Sequence, residues 1–474
     1  MTDRDGIVAN AKYLREVRPI DPEEINEYVE GTPHPAVVRR VLREETVDLG
    51  LIERDDGTFV PAPEHTVDPG WAPDAFPERY AHAFEDLLVE RYGVDWHRGE
   101  SGDHLRETIR RLKERYYRRR SVEYDESVAY GYGIYHLPDY YATVGYVLDT
   151  LAESGLVETP LRVLDVGAGT GGPALGLHDF LPRDALVDYH AVEPSASAAV
   201  LDRLLAETGR NFHPTIHRDR VEALDLSDLG DQASELGADF DLVIFSNVLS
   251  ELDDPVAVVE DALDALAPDG SVVALEPADR NTATTLRTVE REVVSRTNAT
   301  VYAPTLRLWP DAEPSDGGWS FDVRSDLAAP SFQSRLDEAG DEPGAFRKTS
   351  VQFAYVVLRL DGRRRIDVRA DAARHARLAD LDRHVTRRID LLAVKLSHDL
   401  TDDDDANPLF RVGDGSETTD TFAVLTRETS LNRVLSTTPY GTVLSFEQVL
   451  VLWNDDEGAY NLVVDDGTIV DRIG

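Results

Sequence analysis

An apolar run, Leu161 to Val166, leads directly into Gly167-Ala168-Gly169-Thr170-Gly171-Gly172, and a helical pattern follows. Glycines let a backbone turn tightly and lie close against a ligand, while a helix N-terminus offers free N–H groups. Dinucleotide enzymes and other phosphate binders share a lone loop of this kind. Further residues narrow the chemistry. Asp165 sits at the end of the run before the loop. Glu193 ends the next apolar run, 22 residues beyond Gly171, where a carboxylate can accept both hydroxyls of a ribose. Ser246 and Asn247 close a further run, FDLVIFSN, and Glu276 closes GSVVALEP. All of these fall at strand ends, which is where a ligand cleft opens in such sheets. Nicotinamide chemistry would require a hydride-transfer apparatus downstream, and none is present.

Those positions need an alternating α/β scaffold. Leu161–Val166, Val187–Val192, Asp241–Ser246 and Ser271–Glu276 are short continuous apolar runs separated by helix-length segments, as buried parallel strands are. Around this doubly wound domain (157–300) the chain divides into four more pieces. Residues 1–62 read as short helices and a hairpin: Asp21-Pro22-Glu23-Glu24 starts one helix, a second begins near Pro35 and stops at Gly50, and Asp55-Asp56-Gly57 is a hairpin turn. That pattern is winged-helix-like, a module that binds nucleic acid or docks proteins. Residues 77–156 are helical, 301–400 form an irregular and Arg-rich extension with a strand near Ser350–Leu360 and a helical stretch to about His398, and 419–474 alternate short β runs in an OB-like, β-barrel-like domain. His178 and His190, beside apolar faces, read as structural.

The charge pattern adds a second signal. The 474 residues carry a net charge of −41, with only four lysines (Lys12, Lys113, Lys348, Lys395) among 49 basic residues. Acids spread over every segment suit molar salt, which screens their repulsion, so the chain reads as a cytoplasmic protein of an extreme halophile. Against that background Arg106–Arg120 has net charge +6 and Arg359–Arg388 has +5. Charge runs are often solvated helix faces laced by i,i+4 pairs, here Arg106–Arg110–Glu114. Interleaved tyrosines, Tyr116 and Tyr117, favour phosphate contact instead, making Arg110, Arg111, Arg115, Arg118, Arg119, Arg120, Arg363, Arg364 and Arg365 candidate RNA contacts, with Trp453 a further stacking candidate. There is no cysteine, which excludes disulfides, thiolate metal sites and a cysteine nucleophile. No export signal and no run of about 18 apolar residues is visible, so no membrane partner is expected.

The glycine loop with Asp165, Gly167, Ala168, Gly169, Gly171, Glu193 and Asn247 resembles that of the class I S-adenosylmethionine-dependent methyltransferases. More narrowly, GYGIYHLPDYYATVGYVLDTL, VLSEL, LEPAD, VYAPTLRLWP, GGWSFD and KTSVQFAYVVLRL, in this order over roughly residues 125–360, resemble the methyltransferase-like family associated with the mitochondrial small ribosomal subunit. The resemblance implies an S-adenosylmethionine cofactor and small-subunit ribosomal RNA, or the ribosomal particle, as partner. Two departures stand out. Where that family holds an iron–sulfur cluster on cysteines, this chain has Thr305 and Ser320, so no metal cluster is expected and packing of Trp309, Trp319 and Phe321 must hold the segment. His136 stands where the family resemblance calls for arginine.

The absence of cysteine also excludes C5-methylation of pyrimidines and radical methylation. Ser246-Asn247-Val248-Leu249 lacks the Asn/Asp-Pro-Pro-aromatic tetrad of base amino methylation. What remains is methyl transfer to an already nucleophilic N or O by proximity and alignment, or no transfer at all, with no catalytic side chain assigned. Asn247 either orients a substrate or caps the following helix. Beside a ribosome-associated, S-adenosylmethionine-binding factor that assists assembly of the small subunit, with or without methylating its RNA, two other readings stand: a small-molecule or protein methyltransferase with a regulatory winged helix, and a ligand-sensing transcription regulator.

Overall fold

A computed structural model describes residues 3–118, 122–230, 236–401 and 406–474. The chain forms two compact units. The first takes residues 1–248, 257–273 and 326–349, and the second takes 249–256, 274–325 and 350–474.

In the first unit, helices Arg4–Leu14, Pro22–Ile25, Pro35–Glu44 and Thr46–Leu49 precede the hairpin Leu51–Glu53 with Phe59–Pro61. Asp21 caps Pro22–Ile25 by accepting from the Glu23 amide, and Gly50 ends the last of these helices in the left-handed region. Ile7, Val38, Leu42 and Phe59 close a small core of their own. Then come the helices Glu78–Tyr92, Gly99–Tyr117 (α1) and Glu126–Ala152 (α2). α2 is apolar on nearly every side and buried along most of its length.

The sheet of this unit comprises Leu161–Val166 (β1), Val187–Val192 (β2), Phe212–His217 (β3), Phe240–Ser246 (β4) and the start of Leu266–Pro277 (β5), in the order β5-β4-β1-β2-β3. β1 pairs in parallel with both β2 and β4, and β2 with β3. Every residue of β1 and β2 is buried, as a central parallel strand requires. β3 is absent from the four apolar runs because its sequence, FHPTIH, alternates apolar and polar residues instead of running apolar, and only Phe212 is buried. The helix Gly172–Phe180 (α3) follows the glycine loop directly. This is a doubly wound, Rossmann-like α/β fold.

In the second unit, helix Arg280–Arg296 (α4) is followed by strands Thr300–Ala303, Asp322–Arg324 and Val351–Arg359, the last antiparallel to the other two. The stretch expected to be helical up to His398 is not. Residues 361–377 are irregular, a 3-10 segment spans Leu378–His384, and Arg388–Lys395 (β6) is a strand. β6 belongs to the barrel, which therefore begins well before residue 419. With Leu409–Gly413 (β7), Thr421–Leu425 (β8), Val443–Asn454 (β9) and Ala459–Val464 (β10), the order β6-β7-β8-β10-β9 closes on itself through β6–β9 pairing. β8 and β10 run parallel, and all other barrel pairs run antiparallel. Leu391, Phe410, Ala423, Phe446 and Leu462 fill the interior. Periodicity misread β6 because its flanking arginines mimic a helical charge pattern, while its buried half only becomes a strand by pairing with β9.

Among the described residues no helix is long and apolar enough to cross a membrane.

Candidate active site

The C-terminal ends of β1, β2 and β4 bring the expected residues together. Gly167, Gly169 and Gly171 all have positive φ, at +71°, +55° and +95°, a region that side chains with a Cβ adopt only under strain. At Gly167 a Cβ would also lie 2.5 Å from Val248. Ala168 is buried beside them. Because the loop turns this way, the Gly169 amide donates to Glu193 Oε2 at 2.8 Å, and the Ser195 amide donates to Oε1 at 2.8 Å. The Glu193 carboxylate is thus fixed at the end of β2 with lone pairs still available, as two hydroxyl donors would need.

Asp165 is fully buried on β1. Its Oδ2 accepts from the Tyr189 hydroxyl on β2, and its Oδ1 has no partner. Burial pushes this carboxyl up to about 7, and the Glu193 charge adds to the effect. At the end of β4, Asn247 has φ +58° and donates from Nδ2 to the Tyr132 hydroxyl at 3.0 Å. Its Oδ1 and the Ser246 hydroxyl are buried without partners. Three orphaned polar atoms on three residues of two adjacent strand ends are what a polar ligand would satisfy. Asn247 does not cap a helix here: the segment after it, Leu249–Glu251, is a short 3-10 turn.

Sequence reasoning missed the wall that α2 builds against this loop. Tyr132, His136 and Tyr140 recur every four residues and so share one face. Their rings follow one another at 4.8 and 5.9 Å. A Cβ on Gly169 would lie 3.7 Å from the Tyr132 ring, and one on Gly172 would lie 2.9 Å from Tyr140 Cβ, so this face abuts the loop. Lys348 pairs with the buried Asp139 carboxylate and lies 3.4 Å from His136 Nδ1. An ammonium donating to Nδ1 leaves the imidazole proton on Nε2. Burial and the charges of Lys348 and Lys113 hold His136 neutral. Lys113, 3.9 Å from the Tyr135 ring centre, is itself pushed down to about 8 by burial. The signal was present in the sequence: two of the four lysines converge here, in a chain that otherwise uses arginine.

In the second unit Glu276 is buried at the end of β5. Its Oε1 accepts from the Leu249 amide at 3.0 Å, and burial pushes it up to about 8. His178 is structural, bonding Tyr80 and the Gly209 amide, as is His190 between Asp188 and His217.

The basic helix α1 is more internally committed than its net charge implies. Arg106 is only 4 % exposed and donates to the carbonyls of His97 and Leu336, so it cannot reach a phosphate. The expected Arg106–Arg110–Glu114 lacing is replaced by Arg106–Asp103, Arg110–Glu342 and Arg118–Glu114. Arg111 and Arg115 are exposed, with Arg111 3.3 Å from the Thr108 hydroxyl. Arg119, Arg120 and the Tyr117 side chain lie outside the described residues. In the second stretch Arg359 is buried against Asp361, whereas Arg363, Arg364 and Arg365 are exposed. Trp453 is 41 % exposed beside Tyr460.

Residues 133–329 match a family model described as a methyltransferase domain. Residues 4–55 and 379–473 match the N-terminal and C-terminal models of a domain of unknown function, DUF8157. No curated protein matches the chain. Among solved structures, the plantazolicin methyltransferase BpumL in complex with SAH is 12 % identical, covering 59 % of this chain and 99 % of its own, at TM-score 0.28. The precorrin-6y C5,15-methyltransferase from Geobacter metallireducens is 15 % identical over 45 % and 84 % of the two chains, at 0.27. The glycopeptide N-methyltransferase MtfA complexed with sinefungin is 13 % identical over 45 % and 85 %, at 0.28. The doubly wound sheet and its glycine loop, together with the match over 133–329, define a methyltransferase domain of class I. Its cofactor is S-adenosylmethionine.

Proposed function

We propose that Asp165, the loop Gly167-Ala168-Gly169 with Gly171, Glu193 and Asn247 hold S-adenosylmethionine, and that the protein methylates a component of the small ribosomal subunit. The observation that carries the cofactor site is the Glu193 carboxylate, fixed by the Gly169 and Ser195 amides. When bound, the cofactor supplies a sulfonium-activated methyl group. Glu193 accepts the ribose hydroxyls, and Asn247, oriented by Tyr132, offers its unpartnered Oδ1 to an N–H donor. The Tyr132–His136–Tyr140 face shields one side of the cleft from water. Asp165 and Glu276 are buried carboxyls that burial pushes up to about 7 and about 8, and no side chain is assigned as a base toward the acceptor molecule. The acceptor atom is therefore an N or O already nucleophilic, and rate comes from alignment.

The ribosomal acceptor is supported by the ordered motifs over residues 125–360 and by the exposed Arg111, Arg115, Arg118, Arg363, Arg364 and Arg365. A small-molecule acceptor is the second reading, favoured by the internal pairing of Arg106 and Arg110. Incubation of the protein with labelled S-adenosylmethionine and small-subunit particles in molar KCl separates the two. Label retained on the particle RNA or protein supports the first reading, and cofactor binding without particle labelling or co-sedimentation supports the second.

A further inference from the structure

The second unit encloses a small polar cavity that the methyl-transfer reading does not use. Its walls come from α4 (Arg287, Glu290, Arg291), the segment after Thr300–Ala303 (Arg307, Asp316, Trp319), and β7 with the loop after it (Arg411, Glu417). The open space is about 30 Å³, room for an occupant of water size or slightly larger and too small for phosphate or sulfate.

Charge is what sets the cavity apart. Four guanidinium groups line it, against three carboxyl groups, in a chain of net charge −41. Arg287 is 3 % exposed, and only its Nη1 is satisfied, by Glu290 Oε2 at 3.1 Å; its Nε and Nη2 have no partner. Arg307 reaches Glu290 only at 3.7 Å. Arg411, by contrast, is committed to Asp316, Asp420 and the Trp319 carbonyl. Buried guanidinium N–H groups left unbonded are costly, so a resident acceptor is called for. Glu417 Oε2 is also buried and unpartnered. Glycines make part of the wall: at Gly415 a Cβ would lie 2.9 Å from Arg307 Cα.

We propose that this cavity is an anion site that takes one halide ion of chloride size, held by Arg287 and Arg307 with Glu417 beside them. The carboxyl of Glu417 supports this. Burial, with Asp414 and Asp316 adding repulsion and Arg411 opposing it, pushes Glu417 up to about 8. At neutral pH it is an uncharged O–H donor, leaving Glu290 and Asp316 as the anionic groups against four guanidiniums. An uncharged Glu417 can donate to an anion; its carboxylate form would repel one. Binding therefore weakens as pH rises through 8.

Crystals of the full chain grown from potassium bromide test this directly. The expected result is one anomalous bromide peak bounded by Arg287, Arg307 and Glu417, absent in Arg287→Met. A cavity holding only water, or a bromide peak that persists unchanged in Arg287→Met, overturns the proposal. Thermal unfolding provides the solution test, in potassium chloride against equimolar potassium glutamate, whose anion cannot enter. The wild type should gain several degrees in chloride, and the gain should shrink above pH 8. It should vanish in Arg287→Met or, where that variant does not fold, in Arg307→Gln. An equal chloride gain in wild type and variant would assign the effect to general salt screening and rule the site out.

Discussion

The backbone amide of Gly169 and the carboxylate of Glu193, 24 residues apart in the chain, meet at 2.8 Å. The contact joins the loop after β1 to the end of β2, so the shape of the loop and the orientation of the Glu193 carboxylate depend on one another. Neither residue alone would define a site.

Replacing Glu193 with alanine removes the proposed acceptor for two hydroxyls and frees the Gly169 amide. Affinity for S-adenosylmethionine, or for S-adenosylhomocysteine as a stable probe, should fall by roughly 1–3 kcal/mol. Titration calorimetry in molar KCl measures this. Glu193→Gln, which keeps an acceptor oxygen, should lose less, and equal affinity in all three proteins would remove the acid from the site.

Gly169→Val places a β-branched residue at φ +55°, which no valine adopts without strain. Cofactor binding should be lost while unfolding stays cooperative, because the strain is confined to the loop. Binding at wild-type affinity would show that the loop is not the cofactor cradle.

Burial raises Asp165 to about 7 and Asp241 to about 6. An acid whose folded pKa lies above its unfolded value binds its proton more tightly when folded. Its contribution to stability is therefore full below about pH 4 and is lost as pH rises toward the folded pKa, at up to about 1.4 kcal/mol per pH unit for each group. Denaturant unfolding between pH 5 and pH 8 should show stability falling with pH. Asp165→Asn should flatten the part of that fall below about pH 7, and a slope identical to wild type would contradict the assignment.

Arg162 is buried on β1, donating to the carbonyls of Leu229, Gly237 and Ala238 and meeting Asp188 at 3.2 Å. Arg162→Met leaves Asp188 beside His190 in a buried setting without its cation. Breaking a buried pair of this kind costs about 3–5 kcal/mol, which chemical denaturation would register. A loss below 1 kcal/mol would mean the pair contributes little to stability.

Arg111, Arg363 and Arg364 are exposed and belong to the arginines proposed to contact phosphate. Serine at all three should abolish co-sedimentation with small-subunit particles while leaving cofactor affinity unchanged. Particles that still carry the triple variant would remove these residues from any RNA contact.

Much of the candidate site was legible in the sequence because its parts are local. A glycine loop after an apolar strand, and an acid at the next strand end, follow from periodicity and backbone freedom. The separation of Glu193 from Gly171 translates directly into adjacent parallel strands. The edge strand β3 was illegible, since FHPTIH is not an apolar run and becomes a strand only by hydrogen bonding to β2. The fate of the arginines was equally hidden. Net charge counts side chains but not their partners, and only the fold could show Arg106 sealed against Leu336 while Arg111 stays exposed. Likewise β6 read as a helix until β9 paired with it, and nothing in the sequence marks Arg287, whose side chain lines one cavity with Arg307 and Glu417. Local backbone preferences and strand-end residues are written in neighbouring positions. Burial, pairing and charge compensation depend on groups tens or hundreds of residues away, and the tertiary structure alone decides them.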